Sequence, residues 1–290
     1  MIQSMTGYGK ATIELKKRKI TVEIKSLNSK QMDLSVRLPN IYKEYEMSIR
    51  TLLTQELERG KVDFLLYVEN VGEETTNRLN QNVVAAYVNQ IRKSAQELGI
   101  SEPQDWFSVL MRMPDVMKYE VQEADSEEWE GAKGAISEAI EQMKSFRKQE
   151  GDMLKNLFHD KIGNIGALLT EIEGYEAERI EKIKGRITES LQKIDSVDYD
   201  RNRLEQELIY YIEKLDVNEE KHRLANHLSY FKETMIDGTG QGKKLGFISQ
   251  EIGREVNTLG SKSNHVEMQK IVVKMKDELE QIKEQVLNVL

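Results

Sequence analysis

The sequence predicts an α+β chain: a strand-rich N-terminal α/β domain (1–155), a long, coiled-coil-like helical arm (156–205) and a C-terminal helical domain (206–290). Three observations predict it. Residues 11–38 alternate apolar and polar side chains with period two. Beyond residue 154 apolar residues recur every three or four positions. All 3 prolines, Pro39, Pro103 and Pro114, fall before that point, which leaves the rest of the chain free to run in long helices.

In chain order, strands are expected over 11–17, 19–27 and 31–38, with Ile13 and Leu15, Val22 and Ile24, and Leu34, Val36 and Leu38 on their apolar faces. The basic run 16–19 reads as the hairpin turn between the first two, and Pro39 ends the third. Residues 41–60 then place Ile41, Tyr45, Ile49, Leu52, Leu53 and Leu57 at helical spacing, with Gly60 as the C-terminal cap. A fourth strand over 62–70 follows. A helix over 80–99 ends at Gly99, a less regular passage comes next, and helices resume near Asp125.

The arm is predicted by Leu154, Phe158, Ile162, Ile165, Leu168 or Leu169 and Ile172, continued by Ile180, Ile183, Ile187, Leu191 and Ile194. At 1.5 Å per residue this seam spans about 60 Å. A seam so narrow needs a covering helix, from 127–150, from the C-terminal helices or from another subunit. Helices are also expected over 195–215, 216–236, 243–259 and 265–290, the last with Met268, Ile271, Met275, Leu279, Ile282 and Val286 on one face.

Composition narrows the function. The chain has no cysteine, which excludes disulfides and thiolate metal ligands and leaves carboxylate, imidazole, carbonyl and water for any metal. No stretch approaches the roughly 18 to 20 apolar residues of a membrane span, and the opening MIQSMTGYGK lacks a signal core, so a cytoplasmic protein with no membrane partner is expected. The net charge of −8 argues against a generic nucleic-acid coat. Residues 1–70, however, carry 12 Lys+Arg against 9 Asp+Glu, and the remainder 30 against 41. A nucleic-acid enzyme accommodates this balance when basic patches follow the backbone and acids elsewhere hold a cation. The plainer reading is charge decorating long helices.

The richest chemistry lies between Asp216 and Ser263. On a helix from Asp216 to Phe231, Val217, Leu224, Leu228 and Phe231 form the buried face, and Asp216, Glu220, Arg223 and His227 form a second stripe at its border. Carboxylate and imidazole there suit a cation such as Mn²⁺ or Mg²⁺; the alternative is a ladder of pairs such as Glu219 with Arg223. The next helix buries Leu245, Ile248, Ile252 and Val256, sets Glu251 and Glu255 one turn apart, and turns Phe247 and Arg254 away toward RNA or another subunit. GTGQGKK fails the pattern of a triphosphate-binding loop, because Lys244 stands where Ser or Thr is required. It leaves Lys243 and Lys244 at a helix start, where phosphate is favoured. His159, His222 and His265 read as surface residues.

QEIGREVNTLGSKS (Gln250 to Ser263) and DVNEEKHRLANH (Asp216 to His227) resemble the C-terminal signature of the YicC/YloC-like bacterial endoribonucleases. SMTGYGKA, EIKSLNSKQMDLSVRLP and RGKV resemble the N-terminal half of that family, in order. The resemblance implies a divalent-metal-dependent endoribonuclease, favoured by Mn²⁺, that acts in RNA turnover as a homo-hexamer. Its pattern lands on Asp216, Glu219, Glu220, Arg223 and His227, and on Gln250, Glu251, Arg254, Glu255, Asn257 and Lys262. The expected catalytic residues are His227, Glu251 and Glu255. The expected metal ligands are Asp216, Glu219, Glu220, His227, Glu251 and Glu255. RNA contacts are expected from Arg59, Lys61, Arg223, Lys243, Lys244, Arg254, Asn257 and Lys262. The chain departs from the family pattern at Gly246, where Asp is usual, at Gly253, where Asn is, and at Ser29, a place often held by histidine. The second class of function is a non-catalytic RNA-binding or scaffold protein that recruits another RNA-decay enzyme.

Overall fold

In a computed structural model, which describes residues 2–71, 77–119, 125–192, 201–238 and 240–290, the alternating segments form one four-stranded sheet. The strands are β1 (Gly7–Glu14), β2 (Arg18–Leu27), β3 (Met32–Arg37) and β4 (Gly60–Asn70), in the order β1-β2-β4-β3. β1, β2 and β4 pair antiparallel, and β3 lies parallel to β4. A parallel neighbour needs a crossover. Here it is a 3-10 turn (Asn40–Tyr45) followed by α1 (Glu46–Leu57).

The sheet differs from expectation in three places. β1 starts at Gly7 rather than at residue 11, because the GYG stretch runs directly beneath a helix: a Cβ on Gly9 would sit 2.0 Å from the Ala139 carbonyl oxygen. Gly60 does not cap a helix. Glu58, at φ 57°, ends α1, and Gly60, at φ 130°, opens β4 where a side chain would meet Ser26 Oγ. Arg18 belongs to β2 instead of the turn; it is buried and donates from Nη1 to both carboxylate oxygens of Glu128 at 2.7 and 2.9 Å. The Tyr42 hydroxyl joins Glu128 at 2.9 Å, and burial together with that carboxylate pushes the phenol far above its ordinary range.

β5 (Asn77–Leu79) pairs with β6 (Met117–Tyr119), and between them lie α2 (Gln81–Leu98) and the short α3 (Trp106–Leu110). Asn80 caps α2 by accepting from Val83 N, and Gly99 closes it in the left-handed region at φ 64°. The helical part comprises α4 (Ser126–Glu173), α5 (Glu176–Gln192), α6 (Arg201–Lys214), α7 (Asn218–Ile236), α8 (Gly242–Lys262) and α9 (Val266–Val286). Asp125 starts α4 by accepting from Glu128 N at 2.7 Å.

α4 has 48 residues, about 70 Å at 1.5 Å each, and serves two cores. Its first half buries Ala135, Ile136, Ala139, Ile140 and Met143 against the sheet. Its second half buries Phe158, Ile162, Ile165, Leu169 and Ile172 against α7, α8 and α9. The expected boundary at 155/156 therefore falls within an unbroken helix. The covering partners of the 154–172 seam are the C-terminal helices, so this stretch is core. On α5, Ile180, Ile183 and Ile187 are half-buried; Ile194 and the side chain of Leu191 lie outside the described residues. The base of α5 is held by buried Arg179, which donates to the carbonyls of Leu215 at 2.9 Å and Lys262 at 3.4 Å.

The two cores are joined around Arg147, an arginine at a core position of the α4 period. It is 3% exposed and donates to Leu57 O at 3.0 Å and Ser26 Oγ at 2.7 Å, with longer bonds to Met5 O and Arg59 O. Burial lowers its pKa from the ordinary guanidinium value. The segment after α9 is bound to the N-terminal half at each step: Asn28 Nδ2 donates to Leu287 O, Met5 N to Asn288 O and Arg59 Nη2 to Val289 O, while Leu290 N donates to Gln3 O.

Candidate functional site

α7 and α8 form an antiparallel pair, and a buried ion pair fixes its register. Lys262 Nζ donates to Glu220 Oε1 at 2.8 Å and to Asp216 O at 2.9 Å. Two turns farther along both helices, the same register gives His227 and Glu255 matching positions. Glu255 is buried and His227 half-buried, whereas Arg223 of the same predicted stripe is exposed, and no hydrogen bond or ion pair joins His227 to Glu255 among the described residues.

The other expected metal ligands have different partners. Glu219 is bonded to Arg223, Glu251 to Arg254 at 2.7 Å, and Asp216 Oδ1 accepts from Asn218 Nδ2 at 2.9 Å. Among the described residues no group of three or more His, Cys, Asp or Glu side chains is placed to hold a metal ion. Glu220 Oε2 is buried and has no hydrogen-bond partner among them. The donor set of a single chain therefore does not fit a cation held by Asp216, Glu219, Glu220, His227, Glu251 and Glu255 together.

The exposed face of α8 is more uniform. Lys243, Phe247, Gln250, Arg254, Asn257 and Ser261 recur at intervals of four and three, and all six are exposed. They span about 27 Å of helix. The stripe offers cations, an aromatic ring, amides and a hydroxyl, and contains no carboxylate; Glu251, at its border, pairs with Arg254. Lys244 lies beside it with Nζ 4.8 Å from the Tyr230 ring centroid, a cation-π contact. Such a surface matches the phosphate and base chemistry of single-stranded RNA.

Of the remaining expected RNA contacts, Lys61 is exposed on β4. Arg59 is half-buried and gives one N–H to Val289 O, and Lys262 is engaged with Glu220. Arg223 is exposed and paired with Glu219.

A second polar cluster escaped the sequence pattern. His265, expected on the surface, is 5% exposed because the link between α8 and α9 is drawn inward, with Gln269 Nε2 donating to Gly260 O and Ser263 O. Lys182 Nζ lies 3.1 Å from His265 Nε2 and pairs with Glu178. Glu178 Oε2 also lies 3.6 Å from His265 Nε2, and Nδ1 is buried without a partner among the described residues. Its period gave little warning, since His265 stands at the cap of α9 and outside any apolar face.

Comparison with known proteins gives consistent matches. A family model described as endoribonuclease YicC-like, N-terminal region, matches residues 2–156, and one described as endoribonuclease YicC-like, C-terminal, matches residues 172–290. The chain is 30% identical over 295 residues to a probable endoribonuclease YicC of Clostridioides difficile (strain 630), covering 100% of both proteins. It is 27% identical over 290 residues to a probable endoribonuclease YicC of Haemophilus influenzae (strain ATCC 51907 / DSM 11121 / KW20 / Rd), covering 99% of each.

Proposed function

The chain belongs to the YicC-like endoribonuclease family, and from that premise we propose that it is an endoribonuclease whose substrate strand runs along α8. The observation that carries the proposal is the carboxylate-free stripe from Lys243 to Ser261, a long exposed helical face built of RNA-compatible groups. Lys243 and Arg254 neutralise phosphate, Phe247 offers a ring for a base, and Gln250 and Asn257 supply amides. His227 and Glu255, at matching positions on α7 and α8, are the proposed proton-handling pair, with the imidazole as base and the carboxylate fixing its tautomer. Glu251 is the third acid, at the border of the stripe.

Dependence on a divalent cation, Mn²⁺ first and Mg²⁺ as its substitute, stays within the proposal, together with a role in cytoplasmic RNA turnover. What supports metal dependence is the unpartnered Glu220 Oε2, together with the half-buried His227 and buried Glu255 on the two paired helices. Since the donors of one chain do not converge, no catalytic step is assigned to the cation. That same dispersion favours the second reading, an RNA-binding scaffold that recruits another ribonuclease. An end-labelled RNA incubated with the purified protein decides between them: internal cuts that stop with EDTA and return with Mn²⁺ support the metal-dependent nuclease. Binding with no cleavage under any cation supports the scaffold, and cleavage indifferent to EDTA removes the metal alone.

We further propose a homo-hexamer. Its support is the surface of α6, where Ile209, Tyr210 and Tyr211 are exposed and belong to neither core.

A further inference from the structure

A cleft of about 250 Å³ opens where the N-terminal segment, α4 and the end of α9 meet. Its polar side is a relay of hydroxyls. Thr6 N donates to Ser4 Oγ, Ser4 Oγ shares a 2.7 Å hydrogen bond with Thr6 Oγ1, and Thr6 Oγ1 donates to Glu150 Oε2. The Thr6 proton points at the carboxylate, so the Ser4 hydroxyl is the donor in the pair between them. This chain of hydroxyls holds the Glu150 carboxyl in one orientation. Opposite, Asn288 Nδ2 donates to Gln285 Oε1 at 3.2 Å. Met153, Leu154 and Leu157 of α4 supply an apolar wall. Three polar atoms at the cleft have no hydrogen-bond partner among the described residues: Glu150 Oε1, Gln285 Nε2 and Asn288 Oδ1.

We propose that this cleft takes one unpaired guanine base of the RNA, an inference that rests on the ribonuclease reading above. The apolar wall suits the face of a flat ring, and the volume suits a single base better than a larger ligand. Guanine carries N1–H and N2–H side by side, a pair of donors that a carboxylate accepts together, with the acceptor O6 next to them for Gln285 Nε2. Adenine places the acceptor N1 against Glu150 and is disfavoured. The hydroxyl relay explains why Ser4 and Thr6 stand beside a carboxylate that makes no ion pair among the described residues: they orient it for a neutral donor.

The position of the cleft fits a strand on α8. Asn288 is followed by Val289, whose carbonyl accepts from Arg59, and by Leu290, whose carbonyl accepts from Gly242 N at the start of α8. Three consecutive residues span about 10 Å at most. The cleft is therefore a short step from Lys243, where the stripe begins, and Arg59 lies between them. A strand leaving the stripe at Lys243 passes Arg59 and delivers its next unpaired base to Glu150.

The test uses the full chain and two fluorescent single-stranded RNAs that differ at one position, guanosine in one and adenosine in the other. Anisotropy reads binding, and cleavage of the same RNAs is followed separately. The wild-type protein should bind the guanosine RNA at least about tenfold more tightly, the scale of one bidentate base contact. Glu150→Gln should equalise the two RNAs by weakening the guanosine complex alone. Gln285→Ala, which leaves the Thr6 relay intact, should reduce the preference to a smaller degree and keeps the test open if the Glu150 variant does not fold. Equal binding by the wild type, or an undiminished preference in both variants, overturns the proposal. RNA that is bound with guanosine preference and never cut removes the nuclease reading while the base site stands. RNA that is cut without base preference, and bound without it, does the reverse.

Discussion

Lys262, in the last turn of α8, reaches Glu220, in the first turn of α7, with Nζ 2.8 Å from Oε1, although the two lie 42 positions apart in sequence. Only 28% of the lysine side chain and 7% of the glutamate side chain are exposed. A pair of this kind orders a helical hairpin more than it stabilises one, because desolvating both charges offsets most of their attraction. What it decides is which residues of α7 face which residues of α8.

Removing one member of that pair should therefore cost more than removing both. Glu220→Ala leaves a partly buried ammonium that still donates to the Asp216 carbonyl but has no countercharge, and should lower stability by about 2 kcal/mol. Adding Lys262→Met should recover much of that stability. Urea unfolding of the single and double variants checks this, and a double variant as unstable as the sum of its parts would show that the pair is not coupled.

His227→Ala and Glu255→Gln should each reduce RNA cleavage by about a hundredfold or more, the usual scale of a proton-transfer group, with helix content unchanged. The glutamine is chosen because Glu255 is buried and an alanine there would leave a cavity. Circular dichroism and single-turnover cleavage on the same samples separate the two effects. Variants that fold and cut at the wild-type rate would move the site elsewhere.

Along α8, Lys243→Ala combined with Arg254→Ala should weaken RNA binding and flatten its dependence on salt, by a slope of about one for each phosphate no longer neutralised. Phe247→Ala should weaken binding with the slope unchanged, since stacking releases no counterions, at a cost of about 1–3 kcal/mol. Titrations at several salt concentrations read both. A salt slope that ignores the double variant would place the strand off this helix.

The hexamer makes a separate prediction. Light scattering at micromolar concentration should give about six times the 33.6 kDa chain mass, and Ile209→Asp with Tyr210→Asp should lower the assembly state. A wild-type monomer with full cleavage activity would sink the hexamer and leave the nuclease untouched.

How far the sequence reaches can be read from particular residues. Period two in Val22 and Ile24 and period three to four in Leu245, Ile248, Ile252 and Val256 are written locally, because a strand or helix sets the direction of each side chain within a few residues. The sheet, the helical C-terminal part and the buried faces of α7 and α8 were legible for that reason. The Gly9 contact was not, since the demand for a missing Cβ comes from Ala139, far along the chain. Nor was the end of α1 at Glu58, where passage beside Ser26 requires glycine at residue 60 and shifts the cap backward.

The sequence by itself determined the element types, the absence of thiol chemistry and the stretches shared with the ribonuclease family. Tertiary structure alone decided the partners: which charges neutralise one another, that Arg147 and His265 are inside, that Asn28 and Arg59 clasp the 287–290 segment, and that Ser4 and Thr6 meet Glu150. The physical reason is range. Periodicity acts over a turn or two of chain, whereas the partner of a charge or an amide is whatever group the packing of distant elements brings within about 3 Å.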